Sequence, residues 1–291
     1  MNTDPSTPSA LFKIRSPLLR FFRTLGCAGL LLGAALPAGH AQTLLDPAYV
    51  QTFDGANGTL PTNWDVFTNG ARVFAEQNGA GSLNVGNRNT TDSGNTGTVF
   101  FTGDVGTVTG GVFGDVSVEV VFSPHTSGNW VGVVGRAQGS SSWNPNGYYA
   151  LLNANSGFMG IWSAAPANAT AEQIDNALAS VALPALASNT PYRLILEMEG
   201  TRLTASLYSL EAEVGTDDPL ATVSVINSLY FSGVTGVHAR HGGANRLTSY
   251  DTFSITVIPE PSVALLGGLA LGIGFLLFRV NRQRSKTGAQ S

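Results

Sequence analysis

Aromatic and planar polar side chains are concentrated in the middle of the chain, and together they can bind a sugar. Stacked tryptophan or tyrosine rings can hold a pyranose ring, while guanidinium and amide groups can hydrogen-bond its hydroxyls. The candidate ligand-binding residues are Trp130, Arg136, Trp143, Tyr148, Tyr149, Asn153 and Trp162.

Strand periodicity predicts how these side chains are arranged. Trp130 and Arg136 both occupy even positions of one predicted strand, so strict alternation puts them on one face, with Tyr148 or Tyr149 on the neighbouring strand. The alternative is that the tryptophans fill the core between two sheets, as aromatic residues often do. The Ser, Asn and Pro residues around Trp143 favour an exposed loop for that position.

The carboxylates give less support for an enzyme than the aromatic residues give for sugar binding. Glu197 and Glu199 share one face of a predicted strand, and glycosidases need two carboxyl groups about 5 to 9.5 Å apart. Both residues lie beside a turn at Gly200, which favours a solvated strand end. Asp115 and Glu119 are interpreted as outward-facing sheet residues. We therefore predict no catalytic residues, and a glycoside hydrolase that uses Glu197 or Glu199 is the alternative.

The histidines form no zinc-binding motif, because the chain has no HExxH sequence and no pair of cysteines. His238, Arg240 and His241 precede Gly242 and Gly243, which predicts a polar loop near one end of the domain. A ligand-binding rim is the alternative interpretation of this loop.

The elements that must position these residues are short strands. Period-two alternation between Gly, Asn and Ser turns predicts strands at 116–122, 130–136, 148–153, 192–197 and 203–208, with further strands at 82–85, 223–226, 233–239 and 250–257. Many short strands separated by turns indicate an all-β, antiparallel jelly-roll β-sandwich over residues 42–258.

The clearest hairpin is Tyr192–Tyr208, which turns at Gly200-Thr201. Its Tyr-Arg-Leu and Gly-x-x-Leu pattern resembles the hairpin of concanavalin-like and laminin-G-like jelly rolls. The segments 131–136, 233–237 and 250–253 fit the same resemblance, which runs from about Phe53 to Val257. By analogy it implies sugar binding.

The resemblance also implies a structural calcium ion. In jelly-roll carbohydrate modules an acidic residue near the first strand often meets one near the last, and Asp54 and Asp251 occupy such positions. Carboxylate and carbonyl oxygens are the ligands that calcium prefers. The alternative is that both aspartates serve turns.

Charge excludes one class of partner. Residues 42–258 contain seventeen Asp and Glu, seven Arg and no Lys, which leaves about ten negative charges, whereas the whole chain has a net charge of −4. Nucleic-acid binding depends on clustered Lys and Arg, so we predict no nucleic-acid partner.

The N-terminus predicts an export signal in residues 1–41. Lys13, Arg15, Arg20 and Arg23 precede an apolar stretch at 25–36, and Gly39-His40-Ala41 predicts cleavage between Ala41 and Gln42. The only cysteine, Cys27, lies inside this signal. The mature protein would therefore contain no disulfide.

The C-terminus, residues 259–291, predicts a membrane-targeted segment. The motif Pro259-Glu260-Pro261 precedes a predicted transmembrane segment at 262–278 and a basic tail at 279–291. The uncharged run Val263–Phe278 would be about 24 Å long as a helix, slightly short of the roughly 30 Å hydrocarbon core.

This order of motif, span and basic tail resembles the PEP-CTERM sorting signal of Gram-negative bacteria. The resemblance implies recognition by a membrane-embedded exosortase, removal of the tail, and a cell-surface or extracellular-matrix location in an exopolysaccharide or biofilm setting. The sequence therefore predicts a surface-sorted, non-catalytic β-sandwich that binds polysaccharide. A purely structural or adhesive matrix protein without a glycan site is the first alternative.

Overall fold

The computed structural model of the chain describes residues 46–68, 73–87, 95–106, 108–124, 130–138, 145–153, 156–164, 176–241 and 246–259. The regular structure in these ranges consists of β-strands, and none of their residues form a helix long and apolar enough to cross a bilayer. The predicted signal peptide with its Ala41–Gln42 cleavage site, Trp143, and the C-terminal segment from Glu260 onward lie outside the described residues.

The described residues form fifteen strands. They are β1 (Tyr49–Gln51), β2 (Trp64–Thr68), β3 (Val73–Gln77), β4 (Leu83–Asn87), β5 (Asn95–Phe101), β6 (Val116–Ser123), β7 (Trp130–Ala137), β8 (Tyr148–Asn153), β9 (Phe158–Trp162), β10 (Ala179–Ala182), β11 (Tyr192–Glu199), β12 (Arg202–Ser209), β13 (Ala221–Ile226), β14 (Val234–His241) and β15 (Arg246–Val257).

The strands pair antiparallel in two sheets. The eight-stranded sheet has the order β13-β12-β11-β6-β15-β4-β3, and β1 also pairs with β15. The seven-stranded sheet has the order β10-β9-β8-β7-β14-β5-β2. The predicted antiparallel β-sandwich is therefore confirmed.

The main core lies between the two sheets and is built from alternating apolar residues. In the β11–β12 hairpin, Leu194, Leu196 and Met198 are buried and pair with the buried residues Leu207, Ala205 and Leu203 of the return strand. The hairpin turns at Gly200, whose φ of 53° is a backbone conformation that glycine adopts without steric cost. The predicted hairpin and its turn are confirmed.

The seven-stranded sheet is buried on both faces at its centre. Every residue of β7, β8 and β9 is buried, whereas β6 alternates between buried and half-buried positions for most of its length. A second apolar cluster, separate from the main core, therefore occupies the outer face of this sheet.

A β-bulge interrupts the alternation at the end of β7. Val134 pairs with Gly236 and Ala137 pairs with Val234, so Gly135 and Arg136 together oppose Thr235. Arg136 has a φ of 48°, which is unusual for a residue with a side chain. Because of the extra residue, the Arg136 side chain does not point to the side of the sheet that strict alternation predicts.

Candidate functional site

The outer face of the seven-stranded sheet brings together several of the predicted ligand-binding residues. Their strands run side by side, with Trp130 opposite Asn153 and Tyr149 opposite Trp162 in the ladder. We call the following side chains the outer-face cluster: Thr98, Trp130, Tyr149, Asn153, Phe158, Trp162, His238 and Arg240.

The rings of this cluster pack edge to face. The Trp130 ring centroid lies 5.1 Å from those of both Phe158 and Trp162, with interplanar angles of 76° and 86°. The Tyr149 ring lies 5.2 Å from the His238 ring at 82°. Aromatic pairs prefer this geometry because the positive edge of one ring meets the negative face of the other.

The polar groups of the cluster are partly satisfied within the protein. Thr98 Oγ1 and His238 Nδ1 are 2.8 Å apart, and the Tyr149 hydroxyl donates to the Pro145 carbonyl at 2.8 Å. Burial raises the pKa of Tyr149, with a smaller contribution from Tyr230, so the phenol stays neutral and can donate. Arg240 pairs with Trp130 across the ladder and is half-buried, and this burial lowers its pKa.

Two buried hydrogen-bond donors of the cluster have no partner among the described residues. These donors are Trp130 Nε1 and Asn153 Nδ2, on residues that face each other across the β7–β8 ladder. The other end of the Asn153 amide is satisfied, because Oδ1 accepts a hydrogen bond from Ser156 N at 3.0 Å. A buried donor without an acceptor costs about 1–3 kcal/mol, so within the described part of the chain this pair marks a place that lacks an acceptor.

The cluster is buried, although it lies outside the main core. Trp130 is 1% exposed, Trp162 is 3% exposed and Tyr149 is fully buried. The aromatic residues therefore share a face as predicted, but they do not present an open platform. The alternative, that Trp130 and Trp162 are core residues, is supported by their burial, although their apolar cluster is separate from the core between the two sheets.

The prediction that Arg136 shares a face with Trp130 is wrong, because the bulge turns Arg136 toward the eight-stranded sheet. Its guanidinium is fully buried and donates to the carbonyls of Gly114, Met198, Gly200 and Tyr230 and to the Asp115 carboxylate. With its donors occupied in this way, Arg136 is a structural residue at one end of the sandwich.

Tyr148 belongs to the same end of the sandwich and not to the outer face. It is buried in the main core, and its hydroxyl donates to Asn227 Oδ1 at 2.8 Å while accepting from Tyr230 N at 3.1 Å. Asp115, predicted to point outward, instead pairs with Arg136 at 2.8 Å, whereas Glu119 is half-buried and pairs with Arg193 at 3.1 Å.

The loop predicted for His238, Arg240 and His241 is wrong, because all three residues belong to β14. The sequence contains a signal that would have placed them. Val237 and Ala239 are buried in the main core, so the residues between and after them, His238 and Arg240, must face the other side of the sheet. Thr98 and Phe158 are the cluster members that the sequence analysis did not name, and His238 and Arg240 were named only as part of the predicted loop.

The predicted calcium ligands lie close to one turn. Asp54 accepts a hydrogen bond from Thr52 Oγ1, and Asp251 accepts one from Ser82 Oγ at 2.7 Å. A Cβ added to Gly81 would lie 3.2 Å from Asp54 Oδ1, so the two carboxylates flank Gly81 and Ser82. Among the described residues, no group of three or more His, Cys, Asp or Glu side chains converges as a metal site. The oxygen donors fit calcium in kind, and other ligands would have to come from carbonyls or water.

No protein-family model and no curated protein matches this chain. Among solved structures, the VIP36 exoplasmic/lumenal domain in its Ca²⁺-bound form is similar with a TM-score of 0.52 at 9% identity, covering 74% of this chain and 93% of that one. Its Ca²⁺/Man-bound form gives a TM-score of 0.51 at 10% identity, covering 75% and 93%. A Bacillus subtilis protein of unknown function with a galectin-like fold gives 0.49 at 12% identity, covering 71% and 94%. At these identities the similarity concerns the fold alone, and the two comparisons with the VIP36 domain support the predicted jelly-roll sandwich.

Proposed function

We propose that the chain is an exported, non-catalytic β-sandwich module that binds polysaccharide at the outer-face cluster. The observation that carries this proposal is the pair of unpartnered donors, Trp130 Nε1 and Asn153 Nδ2, set among aromatic rings on one face of a sheet. Sugar hydroxyl and ring oxygens are acceptors of the kind these donors lack. The aromatic rings supply the apolar surface against which a pyranose packs.

The fold supports the proposal without identifying the sugar. The similar VIP36 domain was solved in a Ca²⁺/Man-bound form, so a sandwich of this shape can hold a saccharide. In the present chain the rings of Trp130 and Trp162 are nearly inaccessible. A sugar can therefore reach them only after the surrounding side chains move, and we expect slow association.

The non-catalytic part of the proposal rests on where the carboxylates lie. Glu197 and Glu199 belong to β11 of the eight-stranded sheet, whereas the outer-face cluster belongs to the other sheet. Glu199 is exposed beside the Gly200 turn and Glu197 is half-buried. A hydrolase that uses them would need a site separate from the aromatic cluster.

Affinity electrophoresis of residues 42–258 through a panel of polysaccharides tests the proposal. We expect retardation by at least one polysaccharide. Trp130→Phe removes the unpartnered donor and should lower the affinity about tenfold, a loss equivalent to about 1.4 kcal/mol. Trp64→Phe is the matched control, because Trp64 lies in the main core and its Nε1 already donates to the Tyr49 hydroxyl at 3.2 Å. The control should lose stability and keep its affinity.

Three results would contradict the proposal. Absence of retardation by the whole panel, with and without calcium, would favour the structural or adhesive matrix protein. Equal loss of affinity in Trp130→Phe and Trp64→Phe would attribute the effect to stability. Release of reducing sugar from the panel would favour the hydrolase alternative.

The export proposal concerns both ends of the chain. We propose that an exosortase-type membrane protein recognises Pro259-Glu260-Pro261 and removes the tail at the surface of a Gram-negative cell. Its support in the structure is that the chain leaves the sandwich at Ile258, whose N–H donates to the Asp115 carbonyl at 3.1 Å, and that Pro259 is exposed. Mass spectrometry of surface protein should show loss of Arg279–Ser291, and its retention would indicate a permanent anchor.

A further inference from the structure

The most exposed large apolar side chains of the described residues lie in one short segment. Ile226 is 75% exposed, Leu229 is 61% exposed and Phe231 is 60% exposed. Val112, which is 51% exposed, precedes Phe113, and the Phe113 N–H donates to the Gly233 carbonyl at 2.8 Å. We call Val112, Ile226, Leu229 and Phe231 the apolar tip. Large exposed apolar groups that lie together mark an interaction surface.

The backbone of the apolar tip is held in place by polar side chains of the sandwich. Tyr148 binds both Asn227 Oδ1 and Tyr230 N, and Arg136 Nη1 donates to the Tyr230 carbonyl at 3.2 Å. Gln138 Nε2 donates to the Ser232 carbonyl at 2.6 Å. The exposed side chains are therefore displayed from a fixed backbone, which lowers the entropy cost of binding through them.

The tip lies at the end of the sandwich where the chain leaves the domain. Arg136 donates to the Tyr230 carbonyl beside Phe231 and also to the Asp115 carboxylate, and the Asp115 carbonyl accepts from Ile258 N. From Ile258 the apolar run begins five residues later at Val263. At about 3.4 Å per extended residue, that run starts within roughly 17 Å of this end.

A group of acidic residues lies at the end of the sandwich opposite the apolar tip. Residues 226–233, which carry most of the tip, contain no charged side chain. The far end, reached along the eight-residue strand β12, carries the acidic loop with Glu211, Glu213, Asp217 and Asp218. The tip end carries the exposed residues Glu199 and Arg202 at the β11–β12 turn, whose opposite charges offset each other. An anionic bilayer would therefore repel the acidic loop more strongly than the tip.

We propose that the apolar tip is a bilayer-contacting surface, which inserts Leu229 and Phe231 into the lipid interface while the C-terminal segment tethers the chain, before that segment is removed. The orientation of the tip rests on the membrane-targeted C-terminal segment of the proposed export route. This arrangement points the tip toward the membrane and the acidic loop away from it. The insertion needs no glycan ligand, so the proposal can fail or succeed independently of polysaccharide binding.

The test uses the full chain reconstituted into phosphatidylethanolamine–phosphatidylglycerol vesicles, with Cys27→Ser as background. An environment-sensitive fluorophore is attached at Leu229→Cys, and Leu210→Cys is the matched control, because Leu210 is an exposed leucine beyond the opposite end of β12. Phospholipid spin-labelled on the acyl chain should quench the label at position 229 about twofold and leave position 210 unchanged. In an Ile226→Ser/Phe231→Ser background the quenching at 229 should be lost, whereas Leu210→Ser/Leu220→Ser should leave it intact.

Several outcomes overturn the proposal. Quenching at 229 only by headgroup spin label would show proximity without insertion. Equal signals at 229 and 210 would show that the tip is not directed at lipid. Burial of the label that depends on protein concentration and not on lipid would assign the tip to a second copy of the chain. Failure of the chain to float with the vesicles would remove the tether on which the orientation depends.

Discussion

The buried Arg136 guanidinium and the Asp115 carboxylate form a 2.8 Å ion pair that closes one end of the sandwich. The same carboxylate oxygen accepts from Gly200 N at 2.9 Å, and Arg136 Nη1 donates to the Gly200 carbonyl at 2.7 Å. Burial lowers the pKa of Arg136, and the charge of Asp115 opposes this shift. The pair therefore joins the β11–β12 turn, the start of β6 and the segment before β14 in one network.

Replacing Arg136 by Leu should strongly destabilise the domain. The change leaves the Asp115 charge and four carbonyls without their donor, and breaking a buried pair in this way costs about 3–5 kcal/mol. Arg193→Leu is the matched control, because its pair with Glu119 is partly exposed and should contribute less than about 1 kcal/mol. Urea unfolding measures both values. Equal losses in the two variants would show that the Arg136 network contributes little.

The sequence predicted strands well where one face packs into the main core. Alternation located β6, β8 and the β11–β12 hairpin nearly to the residue. The strands that it did not predict include β2 and β5, whose sequences WDVFT and NTGTVFF mix polar and apolar residues without a clear period. These two strands form because β14, β5 and β2 pair in succession, with Val99 pairing with both Val66 and Val237. Such pairings join residues far apart in sequence, so local alternation could not reveal them.

Substitution by alanine should destabilise the protein by different amounts at Gly135 and Gly236, because the added Cβ would meet a side chain at one position and backbone at the other. A Cβ on Gly236 would lie 1.9 Å from the Val99 carbonyl oxygen, so β14 and β5 would have to separate. A Cβ on Gly135 would lie 2.2 Å from Met198 Cε, the end of a flexible side chain that can move. We expect Gly135→Ala to cost about 1–3 kcal/mol and Gly236→Ala to cost more, as measured by thermal unfolding. The reverse order would indicate that the backbone there is more adaptable than Met198.

The candidate site was predictable from the sequence only where the strands alternate regularly. Tyr149, Trp130 and Trp162 share the outer face because β8 is regular and the bulge in β7 comes only after Trp130. Arg136 is part of the bulge, so even-position counting placed it on the wrong face. The bulge itself follows from pairing with Val234 and Gly236 on a distant strand, which the sequence of β7 does not reveal.

Glu119→Gln should change how stability depends on pH. Burial raises the pKa of Glu119, and Arg193 opposes the shift only in part. A carboxyl whose pKa is raised in the folded state contributes stability below its unfolded pKa, near 4.3, and loses that contribution as pH rises through the folded value. The wild type should therefore lose more stability than the variant as the pH rises from the unfolded pKa through the raised folded one. Parallel pH profiles from urea unfolding would show that Arg193 fully compensates the burial.

Removal of calcium should show whether the two aspartates beside Ser82 bind the ion or serve only the turn. A metal that binds only the folded state at a free concentration of 100 times its Kd stabilises it by about 2.7 kcal/mol. For a domain of this size that corresponds to a shift in Tm of about 5–10 °C. A chelator should therefore lower the Tm of the wild type and leave Asp251→Asn unchanged.

Ser82→Ala is the control for that variant. It removes the hydroxyl that donates to Asp251 Oδ1 but keeps the carboxylate, so it should retain the response to calcium. If the wild type has the same Tm in calcium and in chelator, Asp54 and Asp251 serve the turn alone. If Asp251→Asn responds as fully as the wild type, the ion binds at a different site, because a carboxylate that ligates calcium cannot be replaced by an amide without loss of affinity.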